Sequence, residues 1–306
     1  MPSAAAPSLA VPLDPDDPPA SVRSGSPADD RMTIPIRIGR QGPWHFVVDT
    51  GSQRTVVSRA LADRLGLANA ASVTIISMTG RTQVASVALP PLAFGATTVH
   101  DIQAPVLDGD HLGAPGLLGL DGLRAKRLLL DFRRGMIEIS ASGRRQPRDP
   151  DAIIVEARRR DGQLILLDSQ VEGSSVSVIL DTGTNISVGN LALYDRLAKR
   201  RRAPAVTRAT LTSVTGGTLT GLVGVIGTMR MGAVTLKDLP VLFADASPFA
   251  ELRLDRKPAL LLGINALRGF DRVAIDFGRG KVDFLLPDQG ALIAPQLAAL
   301  GAPAQP

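Results

Sequence analysis

The sequence Phe-Val-Val-Asp-Thr-Gly-Ser at residues 46–52 occurs a second time, in similar form, as Val-Ile-Leu-Asp-Thr-Gly-Thr at residues 178–184. In both copies an apolar run rich in β-branched residues predicts a buried strand that ends at the aspartate. A single Asp-Thr-Gly is common by chance and most often marks only the exit from a strand. Two copies, 132 residues apart (181 − 49), place Asp49 and Asp181 at equivalent positions in two similar units.

The similarity between the two halves extends well beyond this motif. Three further features recur in the same order in each half. They are Asp-Arg-Leu (63–65 and 195–197), a predicted hairpin turn (77–80 and 213–216) and Leu-Leu-Gly (117–119 and 261–263). The Asp-Arg-Leu segments even stand at the same distance from their aspartates (63 − 49 = 195 − 181 = 14). An internal duplication explains this order and chance does not.

The composition favours a β-rich fold that is divided into two lobes. Val, Ile, Thr and Gly are plentiful, whereas aromatic residues make up 3% of the chain, so aliphatic side chains must supply the core. The first segment is rich in Pro, Ala, Ser and Asp and is predicted to be disordered. The predicted divisions are a leader (1–31), an N-terminal lobe (32–141), a linker (142–151), a C-terminal lobe (152–286) and a tail (287–306) with about one helical turn.

Several classes of function find little support in the composition. The net charge of +5 comes mostly from Arg, in runs at residues 158–160 and 199–202. These runs fit a solvated turn and a helix C-terminus better than a nucleic-acid surface, since no zinc pattern, P-loop or stacked aromatics accompany them. There is no cysteine, and the three histidines have no metal-ligand spacing, so we expect no metal and no cofactor. No apolar run is long enough to cross a bilayer, which predicts a soluble protein.

Together these motifs resemble those of the aspartic proteases, arranged as two retropepsin-like units fused in one chain. The resemblance covers about residues 33–286. It implies a bilobal, mostly β acid-protease fold, in which two similar β-barrel-like lobes are related by a pseudo-twofold axis. It also implies a monomer, because one chain already supplies both aspartates.

The resemblance further implies that Asp49 and Asp181 meet across this axis and hold a water molecule. One carboxylate, ionised, would take a proton from the water, and the other would donate a proton to the peptide carbonyl. Three pairs of residues would support the aspartates: threonines that join the loops, glycines that let the backbone approach, and hydroxyl residues that donate to the carboxylates and lower their pKa. They are Thr50 and Thr182, Gly51 and Gly183, and Ser52 and Thr184. The hydroxyl donors predict an acidic pH optimum.

The repeated hairpins would correspond to the flaps that cover the substrate in this family. The candidate contacts with the substrate backbone are Met78, Thr79, Gly80, Thr215 and Gly216. Pepsin-like flaps carry a tyrosine, whereas the only tyrosine here, Tyr194, lies on a predicted helix and is expected to pack against the core. One hairpin or both could serve as flaps, and plain surface hairpins remain the alternative.

The leading hypothesis is therefore an aspartic endopeptidase that binds an extended polypeptide between its lobes, with a preference for apolar residues. The alternative is a peptide-binding module on the same fold that has lost turnover. The compartment stays open, because the leader lacks the features of a signal peptide but resembles what remains after one is removed.

Overall fold

The structure is a computed structural model that describes residues 20–23, 31–144 and 149–287. The predicted mostly β, two-lobed fold is confirmed: strands dominate both halves and assemble into two large sheets. The predicted helical turn of the tail lies outside the described residues. Within the described residues, no helix has the length and apolarity needed to cross a membrane.

The first half forms twelve strands and three short helices among the described residues. In chain order they are β1 (Ala20–Arg23), β2 (Thr33–Ile38), β3 (Gln41–Val48), β4 (Val56–Ser58), α1 (Arg59–Arg64), β5 (Asn69–Ser77), β6 (Gly80–Ala88), β7 (Leu92–Phe94), β8 (Thr97–Val99), β9 (Gln103–Leu107), α2 (Gly109–Leu112), β10 (Gly116–Leu118), α3 (Leu120–Leu123), β11 (Lys126–Asp131) and β12 (Met136–Ala141).

The second half repeats this order with its own strands and helices. They are β13 (Ile153–Arg160), β14 (Gln163–Leu166), β15 (Ser169–Val171), β16 (Ser174–Ser175), β17 (Ser177–Leu180), β18 (Ser187–Gly189), α4 (Leu191–Lys199), β19 (Val206–Thr212), β20 (Thr218–Met231), β21 (Val234–Phe243), α5 (Ser247–Glu251), β22 (Ala259–Leu262), α6 (Ile264–Leu267), β23 (Arg272–Asp276) and β24 (Lys281–Leu285).

The strand that leads to each aspartate is buried between neighbours in the same way. In the first lobe, β3 pairs in parallel with the Leu-Leu-Gly strand β10, with Val47 opposite Leu117. In the second lobe, β17 pairs in parallel with β22, with Ile179 opposite Leu261. Because these strands are covered on both sides, they read as continuous apolar runs without alternation.

The two lobes share a central set of six strands, in the order β1-β12-β11-β23-β24-β13. The pseudo-twofold axis passes between β11 and β23, which pair antiparallel. On the first side β1 pairs with β12, and on the other side β13 pairs with β24 in the equivalent way. The lobes are thus joined by backbone hydrogen bonds and not by the linker alone.

Strand β1 corrects one expectation from the sequence. The leader, residues 1–31, was predicted to be disordered, yet Ala20–Arg23 pairs with residues 136–139. The segment has few bulky apolar side chains, so its own composition does not favour structure; the open edge of β12 supplies the hydrogen-bonding partners. Residues 1–19 and 24–30 lie outside the described residues.

The lobes are β-barrel-like only in a loose sense. The first-lobe sheet runs β5-β6-β9-β4-β10-β3-β2-β7-β8, and over the part of the chain that the structure describes neither this sheet nor the larger one closes on itself.

The helices that follow each aspartate loop both begin after a polar N-cap residue. Ser58 caps α1, since its Oγ accepts the Leu61 N–H at 3.1 Å, and Asn190 caps α4 through the Leu193 N–H at 2.9 Å. Helix α4 ends at Lys199, where the second basic run starts, so these cations lie at the negative end of the helix dipole. The ring of Tyr194 packs 5.2 Å from that of Phe243, as expected for a core contact.

Candidate active site

The two Asp-Thr-Gly loops meet at the centre of the molecule, and both carboxylates are buried. The contact is so close that a Cβ on Gly51 would collide with the Asp181 carboxyl, and a Cβ on Gly183 with the Asp49 carboxyl. Glycine is therefore required at both positions for steric reasons. The structure brings the two predicted aspartates together as the motif implies.

The two threonines of the motifs join the loops by reciprocal hydrogen bonds. Thr50 Oγ1 donates to the Leu180 carbonyl at 2.9 Å and accepts the Thr182 N–H at 3.1 Å. Thr182 Oγ1 donates to the Val48 carbonyl at 2.6 Å and accepts the Thr50 N–H at 3.1 Å. Both side chains are buried, so four hydrogen bonds fix the loops across the pseudo-twofold axis.

The surroundings of the carboxylates favour one shared proton. Burial raises the pKa of Asp181 to about 7, with a further contribution from the charge of Asp49. Burial also raises the pKa of Asp49, but this effect is opposed by the N–H groups of Ser52 and Gly51 and by the charge of Arg31. Both N–H groups lie 2.9 Å from Asp49 Oδ1. The N–H groups of Gly183 and Thr184 lower the pKa of Asp181 in the same way. The charge of Arg31 therefore distinguishes the two carboxylates, and it makes Asp49 the better site for the negative charge and Asp181 for the proton.

The hydroxyls of Ser52 and Thr184 do not act as the sequence predicts. Ser52 Oγ donates to the Arg54 carbonyl at 2.8 Å, and Thr184 Oγ1 donates to the Ile186 carbonyl at 3.1 Å. Each hydroxyl thus bonds to the carbonyl two residues later in its own loop, a local contact that Ser and Thr often make. The backbone N–H of Ser52, not its hydroxyl, reaches the carboxylate. The expected cause of a lowered pKa is thus absent from the described contacts.

A second layer of polar contacts holds each aspartate loop from behind. In the first lobe the Asp121 carboxylate accepts the Thr55 N–H at 2.9 Å and the Thr55 hydroxyl at 2.6 Å. In the second lobe Ser187 Oγ donates to Asn265 Oδ1 at 2.8 Å. In both lobes the hydroxyl also accepts an N–H from the glycine of the Leu-Leu-Gly segment. Asp121 and Asn265 thus help to hold the two aspartate loops in position.

A cleft of about 660 Å³ opens over the two carboxylates. The loops form its floor, and the hairpins β5–β6 and β19–β20 cover it. The four residues Gly51, Ser52, Gly183 and Thr184, which follow the aspartates in the two loops, also line it. The lining mixes aliphatic side chains with a few charged ones, which suits a peptide chain.

The comparison with known families agrees with this geometry. Residues 34–121 and 167–266, which together make up more than half of the chain, match the aspartyl protease family model. The chain belongs to the aspartyl protease family. The two matched segments correspond to the two lobes, and each contains one Asp-Thr-Gly motif. No curated protein matches the chain.

Both hairpins of this aspartyl protease lie over the cleft, and their tips touch. Thr215 Oγ1 donates to Ser77 Oγ at 3.1 Å. Gly216 lies so close to the ring of His111 that an added Cβ would be 2.8 Å from it. Of the predicted flap residues, Met78 lines the cleft, whereas Thr79 faces the other hairpin at Gly217.

The first hairpin is also attached to the opposite lobe. The Ser247 N–H donates to the Met78 carbonyl at 3.1 Å, and Arg81 forms a two-pronged ion pair with Glu251, with both N···O distances at 2.7 Å. Ser247 and Glu251 are the ends of α5, so this helix anchors the hairpin tip. The sequence analysis identified neither partner.

Two further residues of the aspartyl protease site were missed by the sequence analysis. Gln163 Nε2 donates to the Gly51 carbonyl at 2.7 Å and so ties the second lobe to the first aspartate loop. Arg31 lines the cleft and donates to the Leu112 carbonyl at 2.6 Å. A signal was present: each residue stands eighteen positions before its aspartate (49 − 31 = 181 − 163 = 18).

Proposed function

We propose that this chain is an aspartic-type endopeptidase in which Asp49 and Asp181 activate one water molecule. The observation that carries the proposal is the buried, face-to-face pair of carboxylates, in which burial and mutual repulsion raise the pKa of Asp181 to about 7. Such a pair holds one proton and one negative charge over a broad pH range. General base and general acid are then both present at the same site.

The proposed reaction begins with ionised Asp49 and protonated Asp181. Asp49 takes a proton from the water as the water oxygen bonds to the peptide carbonyl carbon. At the same time Asp181 gives its proton to the carbonyl oxygen. The tetrahedral intermediate then returns one hydroxyl proton to Asp181. Asp49 passes its proton to the amide nitrogen, and the C–N bond breaks. The products are a carboxylic acid and an amine, and the pair regains its starting protonation.

The proposed substrate is an extended polypeptide that lies as a strand between the floor of the cleft and the two hairpins. An extended segment can hydrogen-bond to the hairpin backbones while its side chains enter the cleft walls. We assign Met78, Thr79, Gly80, Thr215 and Gly216 to the flaps on this basis. The lobes are proposed to comprise residues 32–141 and 152–286, joined by residues 142–151, and the protein to act as a monomer.

The test is the digestion of an unfolded protein between pH 3 and pH 8 by the wild-type chain and its variants. Asp49→Asn and Asp181→Asn should each abolish cleavage. Asp63→Asn and Asp195→Asn are the matched controls, because these exposed carboxylates also occupy equivalent positions in the two halves. Both controls should cleave like the wild type. A folded wild-type chain that cleaves nothing at any pH would favour the silent peptide-binding module.

A further inference from the structure

The two walls of the cleft are not equivalent, although the catalytic loops between them are. In the first lobe, Val56 and Leu117 lie opposite each other on β4 and β10, and both line the cleft together with Leu107. Their counterparts Val188 and Leu261 lie opposite each other on β18 and β22 in the same register. Among the described residues that line the cleft, neither Val188 nor Leu261 is present.

The difference arises from the segment that connects the last two strands of each wall. In the first lobe, residues 108–115 connect β9 to β10 in eight residues, contain the four-residue α2 and bury one side chain, Leu112, against Val56 and Leu117. In the second lobe, residues 244–258 connect β21 to β22 in fifteen residues, and this longer connection contains α5. Phe249, Leu252 and Leu254 of the longer connection are buried against Val188 and Leu261.

The two hairpin tips each place one side chain on a wall of the cleft, so the asymmetry comes from the connection beneath them. Val214 of the second hairpin packs against the first-lobe cluster, which contains Val56, Leu107 and Leu117. Met78, at the equivalent position of the first hairpin, packs against the second-lobe cluster, where Phe249 and Leu252 are already present. The Met78 backbone is also held by Ser247. The second-lobe wall is therefore filled by side chains of the protein itself.

From this asymmetry we infer that the cleft accepts one large apolar side chain, against Val56, Leu107 and Leu117, and only a small side chain on the second-lobe side. The inference rests on the proposed peptidase function. The connection 244–258 acts as the specificity element, because it fills the space that the first lobe leaves to the substrate. Pro248, Glu251 and Leu252 of this connection line the cleft.

The first test is digestion of a peptide library in which the two residues that flank the cleaved bond vary independently, with product identification by mass spectrometry. A large aliphatic or aromatic residue should be required at one of the two positions. At the other position, Gly, Ala or Ser should be preferred at least tenfold over Leu or Phe. Equal preference for large residues at both positions would overturn the inference while leaving the peptidase function intact. A complete lack of cleavage would instead count against the function itself.

The second test changes the specificity element. We compare two peptides: one has large residues on both sides of the cleaved bond, and the other has a small residue on the second-lobe side. Leu252→Ala should raise the ratio of kcat/KM for the first peptide to kcat/KM for the second by at least fivefold. This ratio does not depend on how much of the variant is folded, so a loss of stability cannot imitate the result. Leu191→Ala is the matched control, because Leu191 is exposed on α4 of the same lobe and lies outside the cleft. An unchanged ratio in Leu252→Ala would overturn the inference.

Discussion

Thr50 and Thr182 each place a hydroxyl between a carbonyl and an N–H of the opposite loop, with four distances between 2.6 and 3.1 Å. Neither lobe can complete this arrangement alone. The aspartates are therefore positioned by a contact that exists only when both lobes are folded and docked. The duplication of the sequence thus has a direct structural consequence, because each half supplies the partner that the other half lacks.

Thr50→Val tests this contact at nearly constant side-chain volume. The change leaves the Leu180 carbonyl and the Thr182 N–H without their partner in a buried site. Each such group costs about 1–3 kcal/mol, so the free energy of unfolding should fall by roughly 2–6 kcal/mol. Chemical denaturation measures the loss. Thr50→Ser is the control, since it keeps the hydroxyl and should cost only about 1 kcal/mol for the lost methyl group. Equal losses in the two variants would contradict the role of the hydroxyl.

The pH dependence of cleavage should reflect the asymmetric surroundings of the two carboxylates. The proposed mechanism requires one carboxylate ionised and the other protonated, so activity should fall at high pH as Asp181 loses its proton near pH 7. We therefore expect a bell-shaped profile of kcat/KM whose upper limb lies near neutrality, higher than the acidic optimum that the Ser52 and Thr184 hydroxyls suggested. A profile that is flat through pH 8 would contradict the shared proton.

Arg31→Gln examines the lower limb of the same profile. The charge of Arg31 lowers the pKa of Asp49, so its removal should raise that pKa and shift the acid limb of kcat/KM toward higher pH. Glutamine is the residue that the second half carries at the equivalent position. Arg37→Gln, on the exposed side of β2, is the matched control and should leave the limb in place. A shift toward lower pH would contradict the electrostatic explanation.

The features predicted correctly from the sequence depend on short-range rules. The apolar runs before Asp49 and Asp181 predicted buried strands, and the repeated segments 77–80 and 213–216 predicted hairpin turns. Both kinds of signal act within a few residues along the chain. The duplication strengthened these predictions, because each predicted element in one half could be checked against the equivalent element in the other half.

The features that were missed depend on partners distant in sequence. Strand β1 forms only because β12 offers an edge more than a hundred residues later. Gln163 contacts Gly51 across the lobes, and Arg81 contacts Glu251. The hydroxyls of Ser52 and Thr184 were assigned by resemblance, but the local turns direct them to Arg54 and Ile186. Residue type alone does not determine which of two nearby acceptors a hydroxyl selects.

The stability of the protein should depend on pH through the buried pair. The folded pKa of Asp181, about 7, is raised above its value in the unfolded chain. The folded state therefore binds this proton more tightly than the unfolded chain does. The stabilisation of the folded state by the bound proton is complete below the unfolded pKa and is lost as pH rises toward 7. The free energy of unfolding should fall over this range by up to about 1.4 kcal/mol per pH unit relative to Asp181→Asn, which does not titrate. Denaturation at pH 4 to pH 8 measures both proteins, and parallel curves would contradict the raised pKa.

The anchoring of the first hairpin can be tested through the ion pair between Arg81 and Glu251. Arg81→Gln should increase hydrogen exchange of the amides at residues 77–80 by about two- to fivefold, the scale of an exposed ion pair, without a change in global stability. The charge reversal Arg81→Glu with Glu251→Arg should restore the slow exchange. Arg133→Gln is the control, because it removes an exposed arginine, on the turn between β11 and β12, that pairs with Asp271.

The same hairpin should loosen in acid. The hydrogen bond from Arg81 lowers the pKa of Glu251, so the ion pair is intact above the ordinary glutamate pKa and is lost as pH falls through the lowered value. Exchange at residues 77–80, corrected for the intrinsic pH dependence of amide exchange, should therefore accelerate in the wild type as pH falls below the ordinary glutamate pKa. It should not accelerate in Arg81→Gln, where the pair is already broken. Equal acid sensitivity in the two proteins would show that another group, and not Glu251, controls the opening of the hairpin.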